Sequence, residues 1–314
     1  MTALAVEVDR MRQSPPRYSE LPEGRWVDVG GLRTWVASAG TGTPVVMVYG
    51  GSFGGAGAAS GAYAWAPTFH GLAEDHRVLV FDKPGQGFTD KPHRLEDYTM
   101  SAVVQHLLDL LDQARLGPVH LIGHSRGGYI ATRATLLRPD LVSSLTIVNS
   151  GTLTSGVGTN EVVLGGPPMG PSRESVRWVY ESYMHNTAAV TDEFVEQSWA
   201  VIQHPEYQAA LRDIRENDLM ANLFLPELAK DKRETLTWLA EGRLQRPTLV
   251  VWGRDDRTAH LSRGLGLFEQ LASWERRTSL AVTDKCGHFP YREHPRWFVE
   301  RVRRHLSEVD HHDY

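Results

Sequence analysis

The sequence is poor in cysteine, in basic runs and in long apolar stretches, and each shortage removes a class of protein. One cysteine, Cys286, stands in 314 residues. No internal disulfide can form, an oxidising compartment is not required, and the cytoplasm is the expected location. The chain has 23% charged residues and a formal net charge of −5, without a polybasic tract; nucleic acid and anionic lipid are not expected partners. No run approaches the roughly 20 apolar residues of a membrane helix, so no membrane association is expected. The opening "MTALAVEVDRMRQSPPRYSELPEGR" lacks the uninterrupted apolar core of a signal peptide. With Pro15, Pro16 and Pro22, residues 1–24 read as an arm or loose tail. No cluster of His, Cys and carboxylate falls at metal-ligand spacing, and the terminal "DHHDY" reads as a flexible, solvated end. Neither a metal nor any other cofactor is expected.

What is present is a hydrophobic fraction of 41% in a chain long enough to bury a large core. "RWVDVGGLRTWVASAG" predicts a hairpin turning at Gly30 and Gly31. After it come the short apolar runs "PVVMVYG", "RVLVFD", "VHLIGHS", "LTIVNS", "PTLVVWG" and "RRTSLAVTD", separated by helix-like stretches. Runs that are apolar throughout suit a parallel sheet covered on both faces. The predicted fold class is therefore α/β, with a mostly parallel central sheet, helices on both faces and an antiparallel hairpin at the start. The alternation breaks between Ser150 and Leu244, where "ESVRWVYESYM", "TDEFVEQSWAVI" and "PEYQAALRDIREN" have helical periodicity after the loop "GTLTSGVGTNEVVLGGPPMGP". Residues 152–243 are read as an inserted helical cap between two parts of the core, 25–151 and 244–314.

The stretch "VHLIGHSRGG" carries the chemistry. A strand, a one-residue corner and a helix hold the corner residue, Ser125, in a strained conformation over the carboxyl edge of the sheet. The flanking positions must then be small, which Gly123 and Gly127 satisfy and to which Gly128 adds slack. The following helix aims its positive end at Ser125. Three fixed letters are a weak signal alone; their place between an apolar run and a helix strengthens it. A serine nucleophile needs a base and an acid that orients it. "VVWGRDDRTAH" offers Asp255 and Asp256 past a strand, and "VTDKCGHFPYREHP" offers His288 after the last strand. The order Ser, Asp, His suits an elbow of this type. Asn149 and Ser150, which end "LTIVNS", lack a carboxylate. His120 and His124 are read as core or surface residues without a chemical role.

Through "GHSRGG", "WGRDD", "KCGHFPYREHP" and "FDKPGQGFTD" the sequence resembles the α/β-hydrolase superfamily, from about Arg25 to Leu306. The resemblance implies Ser125 as nucleophile, Asp256 rather than Asp255 as acid, and His288 as base. It also implies an oxyanion hole from the amides of Arg126 and of Gly51 in "YGGSFGGAGAASGAYAW". Tyr49 stands where relatives carry histidine, and Ser52 and Phe53 replace a Gly-Pro pair. Those glycines do not form the G-x-G-x-x-G of a dinucleotide site, and Asp82 belongs to the loop that such hydrolases carry after this strand.

The helical insertion and the ending "KCGHFPYREHP" resemble the meta-cleavage-product hydrolases, which split a C–C bond in dienoates from aromatic ring fission. In that group an arginine directly before a cap tryptophan receives the substrate carboxylate. Here Ser198 precedes Trp199, and a serine offers no bidentate cationic grip. Phe289 and His124 also stand where the group has tryptophan and asparagine. Arg173, Arg177, Arg212 and Arg215 are the cap cations that could substitute.

The expected function is a cofactor-independent serine hydrolase of an apolar carbonyl substrate, whether an ester, a lactone or a diketone-like ring-fission product. A non-hydrolytic lyase or cyclase and a non-catalytic ligand receptor are the alternatives. The partner is a small molecule, the resemblance implies a homodimer, and Ser52, Phe53, Trp199 and Phe289 are the expected pocket residues. For any one of Trp178, Tyr180, Tyr183, Phe194 and Trp199, packing of cap on core is the larger expectation.

Overall fold

The computed structural model describes residues 11, 13–51, 53, 57–156 and 170–311. The apolar runs form an eight-stranded sheet in the order β1-β2-β4-β3-β5-β6-β7-β8. The strands are β1 (Arg25–Val29), β2 (Leu32–Ala39), β3 (Pro44–Val48), β4 (Arg77–Phe81), β5 (Val119–His124), β6 (Val142–Val148), β7 (Thr248–Gly253) and β8 (Thr278–Thr283). Gly30 and Gly31 turn the first hairpin with φ of 60° and 86°, where a side chain would be strained. β2 joins β4 antiparallel, and every later pairing is parallel. β5 and β7 are buried along their whole length, as strands between two helical layers must be.

Side chains alternate between those layers. Val45 and Met47 of β3 join a core with Phe69 and Leu72 of α1 (Ala66–Ala73) on one face. Val46 and Val48 join Leu107 of α2 (Met100–Ala114) and Ile130 of α3 (Arg126–Leu137) on the other. Between β6 and β7 the described residues form helices, α4 (Arg173–Tyr183), α5 (Asp192–Gln203), α6 (Pro205–Glu216) and α7 (Leu225–Ala240). Ser172 caps α4 and Thr191 caps α5, each side chain accepting an amide of the first turn. α8 (Leu261–Ala272), α9 (Pro290–Glu293) and α10 (Pro295–Asp310) complete the chain, and Phe298 and Val302 of α10 pack on the α1 side. Tyr180 of α4 and Phe194 of α5, with ring centroids 4.4 Å apart, carry the first core up into the cap helices. Among the described residues no helix is long and apolar enough to cross a membrane.

Two readings of the chain ends need correction. Residues 16–21 are not loose. The indole of Trp35 donates to the Pro16 carbonyl at 2.8 Å, and the buried Tyr18 hydroxyl donates to Asp82 Oδ2 at 2.8 Å while its ring stacks on Phe88. Pro16, flanked by Pro15 and Pro22, cuts the entropy lost in ordering such a segment, and one aromatic anchor fixes it. Asp310, the first residue of the "DHHDY" end, accepts from Thr43 at 2.8 Å and from His120 Nε2 at 3.0 Å, so it is held rather than solvated. Of the glycine- and proline-rich loop predicted after β6, residues 157–169 lie outside the described residues, as does Ser52.

Candidate active site

Ser125 stands between β5 and α3 with φ 53° and ψ −122°, a conformation costing about 1–3 kcal/mol. Its amide donates to the Val148 carbonyl at 2.8 Å, and its carbonyl accepts from Ser150 Oγ at 2.6 Å, so both sides of the corner are tied to the end of β6. A Cβ on Gly123 would lie 2.4 Å from the Gly127 carbonyl oxygen, and one on Gly127 2.1 Å from that of Val48. Gly128 is no slack position: a Cβ there would meet Ser150 Cβ at 2.7 Å. All three glycines are demanded by close approach.

At the same sheet edge, the loop after β8 places His288 Nδ1 2.7 Å from Oδ2 of Asp256, which follows β7. Asp255 does not reach the imidazole; it is exposed and accepts the Cys286 amide at 3.3 Å. Asp256 is buried, and Oδ1 accepts the amides of Thr258 and Ala259 at 2.8 and 3.0 Å and the Thr258 hydroxyl at 2.8 Å. Oδ2 also accepts Asn149 Nδ2 at 2.6 Å. Burial pushes this carboxyl's pKa up, but His288, the Ala259 amide and the Asn149 amide outweigh it and bring it down to about 2. An ionised Asp256 only accepts, so the imidazole proton sits on Nδ1 and the Nε2 lone pair is left to take a proton.

Asn149, dismissed in the sequence for lacking a carboxylate, therefore serves the acid as a donor. Its left-handed φ of 44° suits a strand end that turns its amide inward. The Thr258 hydroxyl, 3.0 Å from His288 Nδ1, also carried no motif.

His124 is likewise more than core packing. Its Nε2 lies 2.8 Å from the His288 carbonyl, which can only accept, so Nε2 carries the proton and Nδ1 accepts from the Tyr291 hydroxyl at 3.1 Å. Burial first, then the neighbouring His288, hold the His124 pKa well below its ordinary value. A neutral imidazole thus fastens the loop that carries His288. From the other side, the buried Glu293 carboxylate accepts the amides of Gly287 at 3.0 Å, Phe289 at 3.2 Å, His185 at 2.8 Å and Asn186 at 2.9 Å. The His288 amide itself donates to the Tyr183 carbonyl at 2.9 Å, at the end of α4. One acid in "REHP" joins the His288 loop to the cap. Glu293→Ala should lower unfolding free energy by about 3 kcal/mol in urea titration, because several buried amides lose a charged acceptor. Glu293→Gln, keeping one acceptor oxygen, should lose less.

Of the expected pocket residues, Phe289 is brought to the centre, its ring 5.4 Å from that of His288 and 4.8 Å from that of His124. Phe53 is buried under the cap between Tyr98 and Phe224, at 5.0 and 6.1 Å. Trp199 is set apart: its half-buried ring lies 5.2 Å from the guanidinium of Arg173, which pairs with Glu196 at the surface. Tyr183 is the cap aromatic at the centre, 5.6 Å from the His288 ring. Ser198 is fully buried and clamps the backbone of Ala59, accepting its amide at 3.1 Å and donating to its carbonyl at 3.0 Å. That position holds cap to core. Arg177 bonds Asp192 at 2.5 Å, and Arg212 and Arg215 are exposed. A groove of about 710 Å³ opens at the opposite end of the sheet, among Pro118, Val142, Pro247 and Thr278 at the strand starts, remote from this chemistry.

A parallel sheet bearing a serine elbow, with an aspartate–histidine pair on the two following loops, defines the class of hydrolases built on such a sheet. The chain belongs to the α/β hydrolase fold family, whose sequence profile matches residues 43–295. It is similar to the 2-hydroxy-6-oxo-2,4-heptadienoate hydrolase of Pseudomonas putida, 28% identical over 91% of this chain and 97% of that one. It is also similar to the 2-hydroxy-6-oxo-6-phenylhexa-2,4-dienoate hydrolase of Burkholderia cepacia, 27% identical over 84% and 87%. The crystal structure of the meta-cleavage product hydrolase of Pseudomonas fluorescens IP01 superposes with a TM-score of 0.74 at 24% identity, covering 92% of this chain and 99% of that one.

Proposed function

We propose that the protein is a cofactor-independent serine hydrolase acting on the C–C bond of a diketone-like ring-fission product. The observation that carries the hydrolase reading is the 2.7 Å His288–Asp256 contact at the sheet edge that also bears the strained Ser125. The relatives' dienoate-hydrolase names support the bond cleaved. His288 Nε2 removes the Ser125 proton as Oγ attacks the ketone carbonyl. The amides of Arg126 and Gly51 receive the oxyanion, and Asp256 stabilises the imidazolium. In C–C cleavage a proton must first reach the carbon chain, so that a carbonyl accepts the electron pair of the breaking bond. His288 passes the Ser125 proton to the departing enolate, which leaves as an enol; water then attacks the acyl-serine, His288 takes its proton and returns it to Ser125 Oγ, and a carboxylic acid leaves.

Ser198 is committed to Ala59 and Arg173 and Arg177 are paired with Glu196 and Asp192, while Arg126 directly follows Ser125 in the chain. Its guanidinium lies 5.4 Å from the ring of Phe224, at the start of α7. Burial first, then Arg126, hold the Lys83 pKa well below its ordinary value. We assign Arg126 as receptor of the substrate carboxylate. Arg126→Met should raise KM for a ring-fission dienoate by about 10- to 100-fold, the worth of a charge-assisted bond, and by much less for a neutral ester.

The test of the function is kcat/KM for such a dienoate against that for a short p-nitrophenyl ester, with Ser125→Ala as the blank. A dienoate preferred by orders of magnitude upholds the reading. An ester preference moves the substrate class to esters and lactones. No turnover of either by folded protein would leave a lyase or a ligand receptor in its place.

A further inference from the structure

Lys83 is the second residue of the loop after β4 and is completely buried. Its Nζ lies 3.1, 3.0 and 2.9 Å from the carbonyl oxygens of Tyr49, Gly50 and Gly51. Three acceptors require three N–H bonds, which the ammonium form supplies, and none is left for a carboxylate. A charge so placed is costly to desolvate. Neighbouring Asp82 does not offset it by pairing; its oxygens accept from Tyr18, Ala62 and Phe88 at 2.7–2.8 Å. Tyr49, the departure from the relatives' histidine, completes the arrangement. Its hydroxyl accepts the Lys83 amide at 3.0 Å, and its ring lies 4.3 Å from Nζ.

The geometry has a consequence for the facing amides. A trans peptide directs its N–H opposite to its C=O, and no peptide bond among the described residues is cis. Drawing the Gly50 carbonyl onto Lys83 therefore turns the Gly51 N–H away from Lys83. The same loop crosses the elbow, since a Cβ on Gly50 would meet Ser125 Cβ at 3.0 Å. Gly51 itself has φ 77°, which a residue with a side chain adopts only under strain. We propose that Lys83 is a positioning residue that orients the oxyanion-binding amide of Gly51 by gathering three consecutive carbonyls on the far side of its loop. The proposal rests on the serine-hydrolase reading and adds the element that fixes its oxyanion donor.

The test compares Lys83→Met and Lys83→Gln with the parent enzyme, using kcat, KM, melting temperature and affinity for an aryl boronic acid that forms a tetrahedral adduct on Ser125. Removing a whole oxyanion donor costs about 10²–10³ in kcat, so a donor left in place but misdirected should cost about 10- to 100-fold. Lys83→Met should lose that factor in kcat and in boronate affinity per titrated active site, with KM within about twofold, while its melting temperature falls because three buried carbonyls lose their donors. Lys83→Gln, with two donors and no charge, should fall between Met and the parent in kcat per titrated active site. Unchanged kcat and boronate affinity in both variants would overturn the proposal, as would losses that only track the folded fraction. If Ser125→Ala keeps full activity, the underlying serine-hydrolase reading fails instead; if Ser125→Ala is dead while both Lys83 variants are fully active, only the role of Lys83 fails.

Discussion

Ser125→Ala should lower kcat by about 10⁶-fold, the scale found when one member of a cooperating nucleophile–base–acid set is removed. The melting temperature should scarcely change. Alanine keeps the Ser125 backbone bonds to Val148 and Ser150 and the volume of the corner. In the proposed mechanism, residual turnover should stem from the amides of Gly51 and Arg126 as oxyanion donors. Single-turnover kinetics read both numbers, and intact-protein mass spectrometry with a slow ester should find the acyl adduct on the parent and not on the variant. A loss of less than about 10²-fold would mean that Ser125 is not the attacking group.

A companion variant separates strain from chemistry. Because φ is 53° and ψ −122° at this position, Ser125→Gly should be as inactive as the alanine form yet more stable by about 1 kcal/mol. Glycine meets no Cβ penalty there. Equal melting temperatures of the two variants would show that the corner stores no strain.

The sequence made the fold legible because the strands are apolar on both faces and each ends in a loop that a parallel sheet presents at one edge. Ser125 was visible for the same reason: the glycines at 123 and 127 are dictated by backbone atoms near 2 Å from where a Cβ would stand. His288 followed from chain order, and Asp256 was chosen over Asp255 through the resemblance of "WGRDD" to the hydrolase pattern. What stayed hidden are the supports, because they depend on partners distant in sequence. Asn149 meets Asp256 across 107 positions and His124 meets the His288 carbonyl across 164. Ser198, read against an expected arginine, became intelligible only when Ala59 was seen beside it. Tyr18 shows the limit of composition: a proline-rich arm without periodicity looks unstructured until one buried hydroxyl finds Asp82.

Asp256→Asn should lower kcat by about 10⁴-fold while leaving Ser125 in place, and the reason lies in which atoms face donors. Oδ1 accepts three donors, so the amide oxygen of an asparagine must take that place. Its NH₂ then falls where Oδ2 stood, against Asn149 Nδ2 and His288 Nδ1, both donors. Asn149 cannot simply turn over, because its Oδ1 accepts the Gly253 amide at 3.2 Å. His288 yields instead by moving its proton to Nε2, and an imidazole protonated there cannot take the proton of Ser125. The variant should also lose a pH dependence. The folded pKa of Asp256, about 2, lies below the ordinary 3.8, so the native state is favoured in full above about pH 4 and loses that advantage as pH falls toward 2. The difference is worth about 2 kcal/mol. Parent and variant should therefore converge in stability below pH 2 and part above pH 4, the parent being the more stable. If ¹⁵N spectra of the variant showed His288 still protonated on Nδ1 with kcat near the parent's, Asp256 would be a structural carboxylate, and the base would have to be oriented by Thr258 alone.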